Sequence, residues 1–119
     1  MDKYYREIDG ERYVGVVIST GFGAGWSTWG SMHPCDKDFI EYLLKNGIID
    51  EETDNLVWYV DISRETVEAY FPDPETRPYC GGAEDLEIHW VREGSVIRIT
   101  EYDGSEDIEY LDRAGFFEV

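Results

Sequence analysis

The first clear signal in the pattern of apolar and polar positions is a short β-branched run near the start of the chain. Residues 12–20 include Val16, Val17 and Ile18, and a group of glycines follows them. Because apolar side chains occur on both sides of such a strand, we expect a central strand whose two faces are both covered. A loop over residues 21–34 follows, with four glycines and two tryptophans.

Two helices are predicted in the middle of the chain. Asp36 can cap a helix that continues to about residue 46, with apolar side chains on one face and Gly47 at the C′ position. Ser63 can cap a second, shorter helix, which Pro72 and Pro74 end.

The chain between and after these helices is less regular. Residues 50–54 are acidic and are predicted to begin a further helical turn. Residues 56–60 are apolar throughout and fit a buried strand or a helix equally well. Residues 72–82, with three prolines and the Gly81-Gly82 pair, are predicted to form a second loop.

From residue 86 onward the pattern is that of antiparallel strands. Apolar and polar residues alternate up to Trp90, and Asp103-Gly104 is a strong signal for a tight hairpin turn. A further turn is expected near residue 114, before a last short strand. We therefore predict a single domain of the α+β class, with a mainly antiparallel sheet of four to five strands and one or two helices packed on one face.

The charge of the chain excludes several classes of partner. Its 119 residues include 27 Asp and Glu against 10 Lys and Arg, a formal net charge of −17. Such a surface repels phosphates, so we expect neither direct nucleic-acid binding nor binding to anionic membranes. The apolar content of 42% is too high for a disordered acidic tail. With two cysteines and no apolar N-terminal segment, we expect a cytoplasmic protein with reduced thiols.

The glycine loop, defined here as residues 21–30, is the strongest candidate for a binding site. It follows a strand, but Trp26 stands where a dinucleotide-binding fingerprint needs glycine, and no helix begins at once. Its glycines leave backbone N–H groups accessible to anions, and its tryptophans offer flat faces to a base or a sugar. The same tryptophans are also suited to filling the core, and the two interpretations are not exclusive. With the second loop and two arginines added, the predicted ligand-binding residues are Phe22, Trp26, Ser27, Thr28, Trp29, Arg77, Tyr79, Gly81, Gly82 and Arg98.

The spacing of the reactive residues does not favour other chemistries. His33, Cys35, Cys80 and His89 are the only His and Cys residues of the chain, and they lack the spacing of a zinc site. Ser27 does not lie in a nucleophile elbow, and no orienting third residue is specified for a Cys–His pair. We therefore predict a protein that is not an enzyme and has no metal site and no cofactor.

Acidic residues are grouped in runs, of which residues 101–112 contain six carboxylates. Such runs are usually solvated faces that keep a protein soluble. A sharper alternative is that they imitate the phosphates of DNA and block a basic nucleic-acid-binding protein. In that interpretation Glu101, Asp103, Glu106 and Asp107 would make the contacts.

Three segments of the chain carry a resemblance to a known family. They are residues 17–29, with Gly-Phe-Gly-Ala-Gly-Trp-Ser-Thr-Trp, residues 79–88, and residues 96–106, with Glu-Tyr-Asp-Gly-Ser-Glu. The chain resembles a family of small conserved hypothetical proteins of bacteriophages and some bacterial genomes, which share a G-[YF]-G-A-G-[WF]-S-T-W loop and a late E-Y-D-G-S-E hairpin. The resemblance implies a small phage-encoded accessory protein in the bacterial host cytoplasm, and it implies no particular activity.

These observations lead to three hypotheses about function. The preferred one is a non-enzymatic binding protein that acts on host defence by sequestering a small nucleotide-like ligand. The alternative is an acidic, DNA-mimicking inhibitor that docks on a basic host protein. The third is an oligomeric phage accessory subunit, in which the aromatic loop belongs to the core and function lies at a homo-oligomer interface.

Overall fold

The strands of the chain separate into two antiparallel sheets, and two α-helices lie against one of them. The computed structural model describes residues 2–51, 54–75, 80–110 and 117–119. In chain order the elements are β1 (Tyr5–Ile8), β2 (Glu11–Ser19), α1 (Lys37–Asn46), β3 (Ile48–Glu51), β4 (Val57–Asp61), α2 (Arg64–Tyr70), a 3₁₀ turn (Ala83–Asp85), β5 (Leu86–Arg92), β6 (Val96–Tyr102), β7 (Ser105–Tyr110) and β8 (Phe117–Glu118). The larger sheet has the strand order β1-β2-β5-β4-β3, and the smaller sheet has the order β7-β6-β8.

The apolar strands β2 and β5 form the centre of the larger sheet. They pair in antiparallel register, with Val17 opposite Ile88 and Val16 opposite His89. Every residue of β2 from position 14 to its end is buried, because one face of the sheet meets the helices and the other meets the smaller sheet. The predicted central strand is confirmed.

Helix α1 covers one face of the larger sheet, as predicted. Its N-cap is Asp36, whose side chain accepts a hydrogen bond of 2.8 Å from the backbone N–H of Phe39. Phe39, Ile40 and Leu43 are buried, and burial of each side chain contributes about 1.5–3 kcal/mol to stability. Helix α2 adds Val67 to the same core. The α+β class, with helices on one face of an antiparallel sheet, is therefore confirmed.

The opposite face of the larger sheet packs against the smaller sheet. The alternation of apolar and polar residues does not predict this second layer. Val16 of β2 and Val91 of β5 share a core with Ile97 of β6 and with Val119. The sequence predicts one continuous meander from residue 86, but β5 already pairs with β2 on one side and β4 on the other. Strand β6 therefore cannot pair with β5, and it begins a second layer.

The segment between the helices is a β-hairpin. The helical turn predicted to begin in residues 50–54 is wrong, because Asp50 lies in β3 and pairs with Tyr59 of β4. The ambiguous run over residues 56–60 is a strand. Since β3 lies at the edge of the sheet, its acidic side chains remain in water while Ile49 packs against the core.

Two Asp-Gly turns have the left-handed backbone that a type I′ hairpin turn requires. Asp103 and Gly104 connect β6 to β7 with φ of 49° and 86°, as predicted. Asp9 and Gly10 connect β1 to β2 with φ of 51° and 80°. The second turn carries the same sequence signal, which would have predicted β1. The turn predicted near residue 114 lies outside the described residues.

The variant Gly104→Ala is expected to lose much more stability than Gly10→Ala. At both positions a side chain in the left-handed region costs about 1–2 kcal/mol. A Cβ at Gly104 would also collide with the backbone of Ala24, whereas a Cβ at Gly10 meets no atom within 4 Å. Urea unfolding should therefore show a loss of about 1 kcal/mol for Gly10→Ala and about 3 kcal/mol or more for Gly104→Ala. Equal losses would contradict this account of the hairpin.

Candidate functional site

One buried carboxylate fastens the glycine loop to the β6–β7 hairpin. The side chain of Glu106 is 1% exposed. Its Oε1 accepts a hydrogen bond from the backbone N–H of Ser19 at 2.8 Å. Its Oε2 accepts from the backbone N–H of Trp26 at 3.0 Å, and from the backbone N–H and the hydroxyl of Thr28 at 2.9 and 2.5 Å. Glu106 thus belongs to the interior and not to a solvated acidic face.

Further contacts join the same two segments along their length. The backbone N–H of Gly23 donates to the carbonyl oxygen of Asp103 at 2.6 Å. The hydroxyl of Ser105 donates to the carbonyl oxygen of Thr20 at 3.0 Å. The glycine loop and the late acidic hairpin, which are distant in the sequence, therefore form one structural unit.

The second predicted loop reaches this unit through Gly82. A Cβ at Gly82 would lie 2.9 Å from the carbonyl oxygens of both Ala24 and Gly25, so this approach requires glycine. Gly81, next to it, is half-buried. The two loops are therefore in contact, as the predicted site requires. Two other predicted residues of this site lie outside the described residues, Arg77 and Tyr79.

The two tryptophans of the glycine loop have different environments. Trp26 is 1% exposed and stacks on Phe39 of α1, with ring centroids 4.9 Å apart and an interplanar angle of 16°. Trp29 is 42% exposed, and its indole N–H donates to Glu101 at 2.8 Å. Trp26 is therefore a core residue that offers no face to a ligand, while Trp29 lies at the surface.

A cleft of about 410 Å³ separates the end of the glycine loop from the smaller sheet. It brings Ser27 together with Arg98 of β6, two residues that the sequence analysis assigned to ligand binding. The other residues that line it come from the segment before α1 and from β6 and β8: Gly30, Ser31, Met32, His33, Pro34, Ile99 and Phe117. Sequence reasoning missed most of these, because nothing in their spacing indicates that β8 returns beside the loop.

Among the described residues that line the cleft are an arginine with an internal partner and a neutral histidine. Arg98 donates from its guanidinium to Glu109 of β7 at 2.8 Å. Burial lowers the pKa of His33, an effect that the nearby Asp36 opposes. The Nδ1 of His33 accepts the backbone N–H of Cys35 at 3.0 Å, so the neutral ring carries its proton on Nε2. The cleft thus offers a guanidinium, an imidazole N–H and the Ser27 hydroxyl to a ligand.

The remaining His and Cys side chains do not assemble into a reactive centre in the described part of the chain. Burial raises the pKa of the Cys35 thiol to about 11, so the thiolate is not populated at neutral pH. Among the described residues, no group of three or more His, Cys, Asp and Glu side chains is placed to hold a metal ion.

A second polar cluster lies on the face of the larger sheet that carries His89. Glu87 is buried, and its carboxylate accepts the hydroxyl of Thr20 at 2.7 Å and the Nε2 of His89 at 2.8 Å. Burial alone would raise the pKa of Glu87, but the hydrogen bonds from His89 and Thr20 outweigh it and hold that pKa below its ordinary value. His89 is half-buried on the side of the sheet opposite to the helices.

Comparison with known proteins found no similarity. The chain matches no protein-family model, no curated protein and no solved structure. The resemblance to a phage family stays a prediction, and function is inferred from the residues of this chain. No helix of the described residues is long and apolar enough to cross a membrane.

The variant Glu106→Gln is expected to destabilise the protein by about 3 kcal/mol. The amide oxygen of glutamine can still accept hydrogen bonds, but its NH₂ group cannot. Each hydrogen bond to a charged group contributes about 1.5–3 kcal/mol. The matched variant Glu101→Gln removes an exposed carboxylate from the same hairpin and retains an oxygen that can accept the indole N–H of Trp29. Its expected loss is within about 0.5 kcal/mol. Chemical unfolding measures both, and similar losses would mean that Glu106 does not hold the loop.

The stability contributed by Glu87 is expected to disappear in acid. Because the folded-state pKa of Glu87 lies below its unfolded value of about 4.3, this contribution is complete above that value and is lost as pH falls through the lower folded pKa. Urea unfolding of the wild type and Glu87→Gln at a series of pH values should show a difference at neutral pH that shrinks in acid. Parallel curves would refute this assignment.

Proposed function

We propose that this protein binds a small nucleotide-like ligand in the cleft beside the glycine loop and does not transform it. The observation that carries the proposal is the meeting of Ser27 and Arg98 across a cleft of about 410 Å³. These residues come from distant parts of the chain, and the amino-acid sequence predicts a ligand-binding role for both.

The size and lining of the cleft suit a nucleotide. Ligand pockets in proteins typically measure about 300–1,000 Å³ and combine apolar walls with a few polar groups. Here Ile99 and Phe117 supply apolar surface for a base or sugar. Arg98 is the candidate phosphate partner, since a guanidinium can donate two parallel hydrogen bonds to phosphate oxygens. The hydroxyl of Ser27 and the imidazole of His33 are further candidate donors.

The charge of the protein limits the affinity for such a ligand. A net charge of −17 repels an anion at long range, and the carboxylate of Glu109 already occupies the Arg98 guanidinium at 2.8 Å. A ligand phosphate must therefore share or displace Glu109. This competition favours ligands whose apolar surface and acceptor groups can also contact the rest of the cleft, and it disfavours inorganic phosphate.

The biological setting that we propose follows from the family resemblance. A phage-encoded protein in the bacterial host cytoplasm that holds a nucleotide-like molecule would sequester a signal of host defence. Sequestration is preferred to turnover, because burial keeps the Cys35 thiol protonated at neutral pH. In addition, no base of the described residues hydrogen-bonds the Ser27 hydroxyl, as an activated nucleophile would require.

The alternative of an acidic DNA mimic is less well supported by the hairpin. Of the four carboxylates assigned to that role, Glu106 is buried and bound to the glycine loop. The spaced array is thereby reduced to Glu101, Asp103 and Asp107, which are exposed.

Arg98→Gln is expected to weaken ligand binding at least tenfold, since it removes the phosphate partner, whereas Glu109→Gln is expected to strengthen binding because it removes the competing carboxylate. The matched control is Arg92→Gln, which removes an exposed arginine paired with Glu11 outside the cleft. Thermal shift and calorimetry with cyclic nucleotides, cyclic dinucleotides and ADP-ribose derivatives measure these effects.

Two results would overturn the proposal. The first is that none of these ligands binds the wild-type protein at concentrations well above micromolar. The second is that a ligand binds but Arg98→Gln and Arg92→Gln retain equal affinity, which would place its site elsewhere.

A further inference from the structure

Three exposed aromatic side chains belong to the glycine loop and to the β6–β7 hairpin that it contacts. Phe22 is 74% exposed, Tyr102 is 79% exposed and Trp29 is 42% exposed. Phe22 is not among the residues that line the cleft proposed as the nucleotide site, and neither is Tyr102. We call these three residues the aromatic end.

The contacts that join the loop to the hairpin also hold the aromatic end together. Phe22 precedes Gly23, whose N–H donates to the carbonyl oxygen of Asp103 at 2.6 Å, and Asp103 follows Tyr102. The indole of Trp29 donates to Glu101 at 2.8 Å, and Glu101 precedes Tyr102. This backbone contact places Phe22 and Tyr102 side by side where the glycine loop meets the hairpin. Trp29 joins the same hairpin through Glu101, whose side chain lies on the opposite face of β6 from that of Tyr102.

Exposed aromatic side chains do not help to keep a protein soluble, so their presence on this hairpin and loop calls for another role. Contiguous apolar surface rimmed by polar residues often marks a site of interaction with another protein. Aromatic residues are enriched at such sites because they combine large contact area with little loss of side-chain entropy.

The negative charge around the aromatic end determines the sign of the charge that its partner must carry. Neither the glycine loop nor residues 99–110 contain a lysine or an arginine. Exposed carboxylates of Glu101, Asp103 and Asp107 lie on the same hairpin as Tyr102. Nucleic acids, anionic lipids and a second copy of this chain, which carries the same net charge of −17, are all repelled from such a surface.

We propose that the aromatic end is a docking surface for a lysine- and arginine-rich segment of another protein. The carboxylates attract the segment, and the rings of Phe22 and Tyr102 bind its cationic groups and the apolar stems of its side chains. Ion pairs with solvated carboxylates are weak and do not distinguish one cationic segment from another. The aromatic rings add a second contact with the cationic groups, so they supply the specificity for this segment. This surface is independent of the nucleotide cleft.

The test uses a fluorescent peptide of repeated Gly-Arg-Ser-Lys units and measures its binding to the full chain by fluorescence anisotropy. The double variant Phe22→Ser with Tyr102→Ser keeps every charge of the protein and is expected to bind about tenfold more weakly than the wild type. The control is Ile48→Ser, which removes an equally exposed apolar side chain from β3 and should bind like the wild type. The indole N–H resonance of Trp29, assigned through Trp29→Phe, should shift on addition of the peptide.

Each other outcome overturns the proposal. If the peptide does not bind, or if the double variant binds as tightly as the wild type, the aromatic residues are not a docking surface. If Ile48→Ser weakens binding as much as the double variant, the effect is one of general apolar surface. Arg98→Gln should leave peptide binding unchanged, so failure of the nucleotide proposal and failure of this one are distinguishable.

Discussion

The structure around the candidate site depends on the burial of one carboxylate. Transfer of an ion from water to a protein interior costs several kcal/mol, and only good hydrogen bonds offset that cost. Glu106 has four of them, three from backbone N–H groups and one from a hydroxyl. Because all four donors belong to the end of β2 or to the glycine loop, the carboxylate specifies the path of a segment that has no secondary structure of its own.

This interaction gives the glycine loop two surfaces with different chemistry. On one side the loop carries Ser27 to the cleft that also contains Arg98. On the other side it carries Phe22 and Trp29 to the acidic turn of the hairpin. Neither surface exists in the loop or in the hairpin alone. Both are consequences of their assembly around Glu106, as is the need for a glycine at position 104.

Local signals in the sequence predicted local structure well. Asp36, Ser63 and the Asp103-Gly104 turn act through neighbours within four residues, so their roles can be inferred from the residues beside them. Glu106 acts on partners about eighty positions away, and within an acidic run nothing distinguishes a buried carboxylate from a solvated one. For the same reason the sequence left Trp26 and Trp29 equivalent, although only Trp26 reaches Phe39.

The excess of negative charge therefore has three separate roles in this fold. Glu106 uses its charge as a structural acceptor inside the protein. Glu109 pairs with the Arg98 guanidinium at 2.8 Å, and it would compete there with the phosphate of the proposed ligand. The exposed acids of the hairpin act at longer range, over a Debye length of about 8 Å at physiological salt. The field of the protein thus opposes an anion in the cleft and favours a cationic segment at the aromatic end, so added salt should shift the two associations in opposite directions.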